Sequence, residues 1–250
     1  MSLNDFDSMP RRTMHLFFLV DTSGSMHGQK IGAVNDAIRN VLPIVNDLSE
    51  NNADAEIKVA ALIFSDGCEW LFSEVKNASD FEWIDQDACG GTDLGEACKK
   101  LEKVLHHSSG WMGTGSGSLA PVFILLSDGG PTDDFDSGVA ELWKNNWFKA
   151  GIKVAIAIGE DADDDVLAKF TGSKERVYRV HDVETLKKVI RVVTVSSTTV
   201  GSKTSTTTKD GGAEAKKEDI VTDTINEQLE GEKVECGADL DKNCIINDEW

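Results

Sequence analysis

Basic residues are scarce in this chain: 25 lysines and arginines stand against 44 aspartates and glutamates, a formal net charge of −19. A surface that acidic repels phosphate backbones and attracts cations, so nucleic acid is not an expected partner. Cysteine patterning is also missing. Cys68, Cys89, Cys98, Cys236 and Cys244 are odd in number and include no C-x-x-C pair, which argues against a disulfide framework and against a zinc ribbon. Reduced thiols in a cytosolic protein are the plain reading. No long apolar run marks a membrane span. The run Met14-His15-Leu16-Phe17-Phe18-Leu19-Val20 follows Arg11-Arg12 in the manner of a twin-arginine signal, but it ends on Asp21. It is short for a signal core and far short of a bilayer crossing. The expectation is a cytoplasmic protein with no membrane span.

What the chain does contain is a regular alternation of strands and helices. Residues 1–13 read as a flexible segment and residues 14–193 as one domain of about 180 residues, large enough to bury a sizeable core. Residues 194–250 read as a disordered tail, Ser/Thr-rich and then acidic, because bulky apolar residues nearly vanish there and cannot offset chain entropy. The continuous run after Met14 has the pattern of a central parallel strand covered on both faces. Ile31, Val34, Ala37, Ile38, Val41, Leu42, Val45 and Leu48 recur at helical spacing, with Pro43 placed to kink that helix. Ile57 to Phe64 reads as a strand with an antiparallel hairpin partner, Glu69 to Val75, at the sheet edge. Further helices are expected from Asp93, around Trp143 and Trp147, from Asp164 to Phe170 and from Val183 to Val193. Further strands are expected at Pro121 to Leu126, Ile152 to Ile158 and Val177 to Val180. The Gly/Ser stretch 110–118 lacks the strand and lysine of a phosphate loop and reads as a connector. This order implies an α/β fold, doubly wound, with a mostly parallel central sheet, one antiparallel edge strand and helices on both faces.

Three segment ends in that frame carry oxygen. The first strand runs into Asp21-Thr22-Ser23-Gly24-Ser25, a loop delivers Thr92 after Gly90-Gly91, and the strand ending at Leu126 delivers Ser127-Asp128-Gly129-Gly130. Open α/β sheets bind ligands at the carboxyl ends of their strands, beside the topological switch point. Asp21, Ser23, Ser25, Thr92 and Asp128 would converge there, and oxygen-only donors suit Mg²⁺, Ca²⁺ or Mn²⁺ and suit zinc poorly. Each turn taken alone is ordinary capping or turn chemistry; the joint placement is what points to a cation.

These residues resemble the von Willebrand factor A domain, whose metal-ion-dependent adhesion site has the pattern D-x-S-x-S, then T, then D. The resemblance covers about residues 14–193 and matches all five positions in chain order. It implies that Ser23, Ser25 and Thr92 ligate Mg²⁺ directly and that Asp21 and Asp128 act mostly through bound water. It also implies that a partner protein supplies an Asp or Glu to the remaining position. Without secretion signals or extracellular cysteines, the chain is more similar to the bacterial branch that includes TerY-like proteins of tellurite-resistance and stress-response loci. That resemblance implies a serine/threonine kinase and a metal-dependent phosphatase as partners. The expectation is thus a non-enzymatic binding module.

The alternative is a Mg²⁺-dependent phosphotransferase or phosphatase with Asp21 as nucleophile. That chemistry wants a second acid two residues on, where Ser23 stands, and a strand-borne lysine that is not evident. Elsewhere, Ser196 to Thr208 reads as a linker or a phosphorylation substrate. Asp239 to Asn247 echoes half a calcium loop, but Cys244 replaces its glycine and Trp250 its final acid, so an acidic partner-binding tail is the preferred reading. His27 reads as an exposed helix-start residue, His106-His107 as interacting with a helix end, Asp161 to Asp165 as acids favoured at a helix start, and Phe81 to Ile84, Trp143 and Trp147 as packing.

Overall fold

The first apolar run forms a strand whose side chains alternate between two separate cores. In the computed structural model, which describes residues 11–106, 111–112, 117–203, 216–230 and 234–236, this strand is β1 (Arg12–Asp21), buried from Met14 to its end. It is followed by a short 3₁₀ turn (Gly24–Met26), α1 (Gln29–Glu50), β2 (Ala55–Ser65), β3 (Gly67–Trp70), β4 (Lys76–Asn77), α2 (Leu94–Val104) and β5 (Val122–Ser127). Then come α3 (Phe135–Leu142), α4 (Asn146–Ala150), β6 (Ile152–Ile158), α5 (Asp164–Thr171), β7 (Val177–Val180), α6 (Val183–Gly201), α7 (Lys217–Leu229) and β8 (Val234–Cys236).

The sheet order is β3-β2-β1-β5-β6-β7-β8, with β4 also on β2. The five strands β1, β2, β5, β6 and β7 are mutually parallel. β3 is the expected antiparallel edge partner of β2, and β4 and β8 add two short antiparallel pairings. Period-two alternation divides the core. Leu16, Phe18 and Val20 pack with α1, α6 and α7 on one face. Phe17 and Leu19 pack with α2, α3, α4 and α5 on the other. The mostly parallel α/β architecture with helices on both faces is therefore as the sequence implies. α1 runs through Pro43, which is exposed, as one helix of 22 residues.

Chain order reverses between β1 and β5, because the connection from β1 leads to β2 on one side while β5 lies on the other. This switch point opens a crevice at the carboxyl ends of the two strands. Asp21 ends β1 and Ser127 ends β5, so the register alone brings two of the three candidate segments side by side.

The tail departs from expectation. α6 does not stop at Val193 but continues to Gly201, burying Thr194, Ser196, Ser197 and Thr198. Gly201 comes so close to the sheet that a Cβ there would lie 2.9 Å from Val122 Cγ2. Small side chains allow that approach, which a composition scan for bulky apolar residues misses. α7 then lays Val221, Ile225 and Leu229 into the same core, and β8 extends the sheet from β7. Residues 194–203, 216–230 and 234–236 are thus ordered parts of the fold. Ser196, Ser197 and Thr198 are closed to a kinase while it is folded. The N-terminal boundary shifts as well, since Arg12 and Thr13 already belong to β1. The rest of the Ser/Thr run (204–208) and the calcium-loop echo (239–247) lie outside the described residues.

The Gly/Ser connector is anchored where it is described. Met112 is buried, and Trp111 meets Trp70 edge-on at 4.5 Å and stacks on Phe17 at 6.4 Å. Trp143 packs against Phe148 and Trp83 donates to Asn35 Oδ1 at 3.0 Å, in keeping with the packing roles expected of the aromatics. Asp163 caps α5 by accepting from the Asp165 and Val166 amides, and His106 pairs with Glu102 one turn back. Among the described residues Cys68, Cys89, Cys98 and Cys236 form no disulfide.

One buried residue makes stability pH-dependent. His15 lies within β1 beside Phe17, 2% exposed, and its Nδ1 has no partner among the described residues. Burial, aided by the Lys58 charge, lowers its pKa to about 4 from 6.5. The unfolded chain therefore takes up a proton below pH 6.5 that the folded chain refuses. Stability is unaffected above that pH and falls as the pH drops from 6.5 to about 4, by about 3 kcal/mol in all. Denaturant melts of His15→Phe across that range should lose this part of the slope. An unchanged slope would show that other groups carry it.

Candidate metal centre

Asp21 is the last residue of β1 and is fully buried. Its Oδ1 accepts the Ser23 amide at 2.8 Å and its Oδ2 accepts the Ser127 hydroxyl at 2.6 Å. Burial raises its pKa; the Ser127 and Ser23 hydrogen bonds oppose that shift, and the Asp128 charge adds to it. A carboxylate in this position gains from a nearby cation.

The chain then makes a single 3₁₀ turn, whose compactness folds Ser25 back beside Ser23. The two hydroxyls lie 3.0 Å apart, and Ser25 Oγ donates to Asp128 Oδ1 at 2.6 Å. Asp128, 1% exposed, follows β5 directly. Asp21, Ser23, Ser25 and Asp128, separated by up to 107 positions in sequence, are thereby joined in one hydrogen-bonded chain.

Thr92 reaches the same rim through its loop. The Cys89 amide donates to Thr22 O at 2.8 Å and the Gly24 amide donates to Gly90 O at 2.9 Å, which ties residues 89–90 onto the 22–24 segment. Gly90 has φ +80°, and a Cβ there would sit 2.6 Å from Asp66 Oδ2; only glycine turns the loop this tightly. Asp66 holds the next amide, Gly91, at 2.7 Å. Thr92 itself is buried, and its amide donates to Thr132 Oγ1 at 2.9 Å. All five expected residues therefore stand on one edge of the sheet. Their donors are two carboxylates and three hydroxyls. Among the described residues no three His, Cys, Asp or Glu side chains gather as a candidate cation cluster.

Three participants were not singled out from the sequence. Ser127 orients Asp21, and its signal was its position at the end of β5. Asp66 shapes the glycine turn and left no distinguishable signal among many loop acids. Lys30 is the third. Its Nζ lies 2.8 Å from Asp128 Oδ2, with the lysine side chain 16% exposed and the aspartate side chain 0%. A lysine in the first turn of a helix opposes the helix dipole, and that misfit was its signal. Its ammonium marks the carboxylate edge as a place that draws positive charge, which fits the oxygen donor set to a hard cation. His27, by contrast, is exposed, as expected.

A doubly wound α/β sheet with Asp, Ser, Ser, Thr and Asp gathered at its switch point defines a class of domains built to present a site at the strand ends rather than in a deep cavity. The chain belongs to the von Willebrand factor type A domain family, whose model matches residues 15–192. Domains of this family are protein-interaction modules that often use a metal site, and are not in general enzymes. A mouse collagen alpha-6(VI) chain is 29% identical over 180 residues, covering 70% of this chain and 7% of that one. Among solved structures, a von Willebrand factor type A protein from Catenulispora acidiphila is similar over 75% of this chain and 43% of its own, at 18% identity and a TM-score of 0.56. Proximal thread matrix protein 1 of the mussel byssus, described with a zinc-occupied metal-ion-dependent adhesion site, is similar over 76% and 48%, at 16% identity and a TM-score of 0.59. These structural likenesses show the fold. The chain spans less than half the length of each of these relatives. No helix among the described residues is long and apolar enough to cross a membrane.

Proposed function

We propose that this chain binds a partner protein by docking its Asp or Glu carboxylate onto a divalent ion at the carboxyl edge of the sheet. The observation that carries the reading is the hydrogen-bonded chain from Asp21 through Ser23 and Ser25 to Asp128, with Thr92 tied onto the same rim. Ser23, Ser25 and Thr92 would hold the ion through hydroxyls, and Asp21 and Asp128 through water. Neutral hydroxyl ligands leave a divalent cation short of compensating charge, so an incoming carboxylate is favoured. Oxygen donors favour Mg²⁺, with Ca²⁺ and Mn²⁺ as substitutes; the zinc described in the byssus protein makes Zn²⁺ the competitor to include.

Asp21 is poorly placed as a phosphoryl acceptor. Both its oxygens are engaged, one by Ser23 and one by Ser127, and the position two residues on is a hydroxyl rather than an acid. The resemblance to TerY-like proteins extends the reading to a cytoplasmic stress-response role with a kinase and a phosphatase as partners.

Two measurements test the docking reading. Mg²⁺ at about a hundred times its Kd should stabilise the fold by about 2.7 kcal/mol, a rise in Tm of about 5–10 °C for a domain of this size. EDTA should reverse it, and an indifferent melting curve would sink the site. Partners captured from the native host should be lost in chelator; capture indifferent to EDTA would overturn docking through a metal. Phosphatase turnover abolished by Asp21→Asn would favour the enzymatic alternative instead.

A further inference from the structure

Lys30 sits where neither the fold nor helix electrostatics asks for a cation. It is the second residue of α1, and the first turn of that helix holds no acid, so the positive end of the helix dipole and the ammonium lie together. The ion pair with Asp128 Oδ2 at 2.8 Å compensates that placement. Asp128 meanwhile receives Ser25 on its other oxygen at 2.6 Å. Both faces of this carboxylate are thereby engaged, and Lys30 is built into the same chain of contacts as the four residues above.

From this geometry we infer that Lys30 sets the charge of the docking site and so determines its selectivity for an anionic partner. The inference rests on the docking reading and deepens it. Asp21 and Asp128 together carry two negative charges. Balanced by a divalent ion, they leave a site of zero net charge, in which only the short-range pull of the cation favours a carboxylate over an amide. Lys30 adds one positive charge held against Asp128 in a largely buried setting, where screening by solvent and salt is weak. The two carboxylates, the divalent ion and the Lys30 ammonium then sum to one positive charge, which a single Asp or Glu side chain offsets. The same ammonium repels the incoming cation, so Lys30 weakens metal affinity while strengthening partner affinity. A merely structural lysine would change the melting temperature and move neither.

The test uses the full chain and Mn²⁺, whose unpaired electrons report on bound water. Mn²⁺ affinity is measured by electron paramagnetic resonance. Docking is followed by the loss of water proton relaxation when a blocked Gly-Asp-Gly peptide is added to the Mn²⁺-loaded protein. A blocked Gly-Asn-Gly peptide serves as the uncharged control. Lys30→Met should bind Mn²⁺ about tenfold more tightly and the Asp peptide about tenfold more weakly, narrowing the preference for Asp over Asn by the same factor; a tenfold change corresponds to about 1.4 kcal/mol. Lys30→Arg should restore the preference. The Tm deficit of Lys30→Met, which leaves the Asp128 charge uncompensated, should shrink on loading with Mn²⁺.

Unaltered Mn²⁺ and peptide affinities in Lys30→Met, with the native chain binding both, would overturn the role of Lys30 and leave the docking reading standing. If the native chain bound no Mn²⁺, or bound it and showed no preference for Asp, the docking reading and the inference would fall together.

Discussion

Replacing Ser23 and Thr92 together by alanine should abolish divalent-ion binding in calorimetry while the far-ultraviolet circular dichroism stays native. The effect is large because two of three direct hydroxyl ligands go at once, and the remaining Ser25 cannot fix a cation that demands near-octahedral oxygen geometry. The fold should survive. Ser23 makes its backbone contacts, to Asp21 and within the 3₁₀ turn, with its amide and carbonyl, and Thr92 is anchored through its amide and carbonyl. Neither contact needs the hydroxyl. Affinity within a factor of two of the native chain would refute this ligand set, whatever the partner proves to be.

Ending the chain after Val193 should prevent stable folding. The truncation removes the second half of α6, all of α7 and β8. Val221, Ile225 and Leu229 are each at least nine-tenths buried, and burying such a side chain contributes about 1.5–3 kcal/mol. Losing the three alone removes on the order of 5 kcal/mol, against a net domain stability of about 5–15 kcal/mol. Buried ionic contacts go with them. Lys153, 1% exposed, would lose its 2.8 Å pairing with Glu218, leaving a buried ammonium held by the Phe148, Lys149 and Gly151 carbonyls and the faces of Trp143 and Phe148, with no anion to compensate it among these contacts. The 1–193 chain should expose apolar surface and melt at least 10 °C lower, or not fold, whereas a chain ended after Glu230 should keep most of its stability. A cooperative melt of the 1–193 chain at the native temperature would contradict the docking of α6 and α7.

Much of this domain was legible because its signals are local. The run after Met14, the helical spacing from Ile31 to Leu48 and the strand Ile152 to Ile158 encode their structure in the period of their apolar residues. The site was legible for a different reason. In a doubly wound sheet the strand ends converge by topology, so the positions of Asp21, Thr92 and Asp128 relative to predicted strands and helices suffice to place them on one edge. The C-terminal helices failed the same scan. α6 beyond Val193 packs with hydroxyl-bearing and small side chains, which carry no hydropathy signal. The apolar stripe of α7 is only one residue per turn, Val221, Ile225 and Leu229, thinner than a free helix would need.

The sequence by itself therefore determined the order of strands and helices as far as Val193, the two-faced core and the five candidate oxygen donors, because each follows from spacing along the chain. Only the tertiary structure decided what surrounds those donors. Lys30 on Asp128, Ser127 on Asp21 and Asp66 on the Gly91 amide are contacts between residues 25 to 106 positions apart. Their partners are chosen by packing geometry and by the need to compensate buried charge, and periodicity carries no record of either.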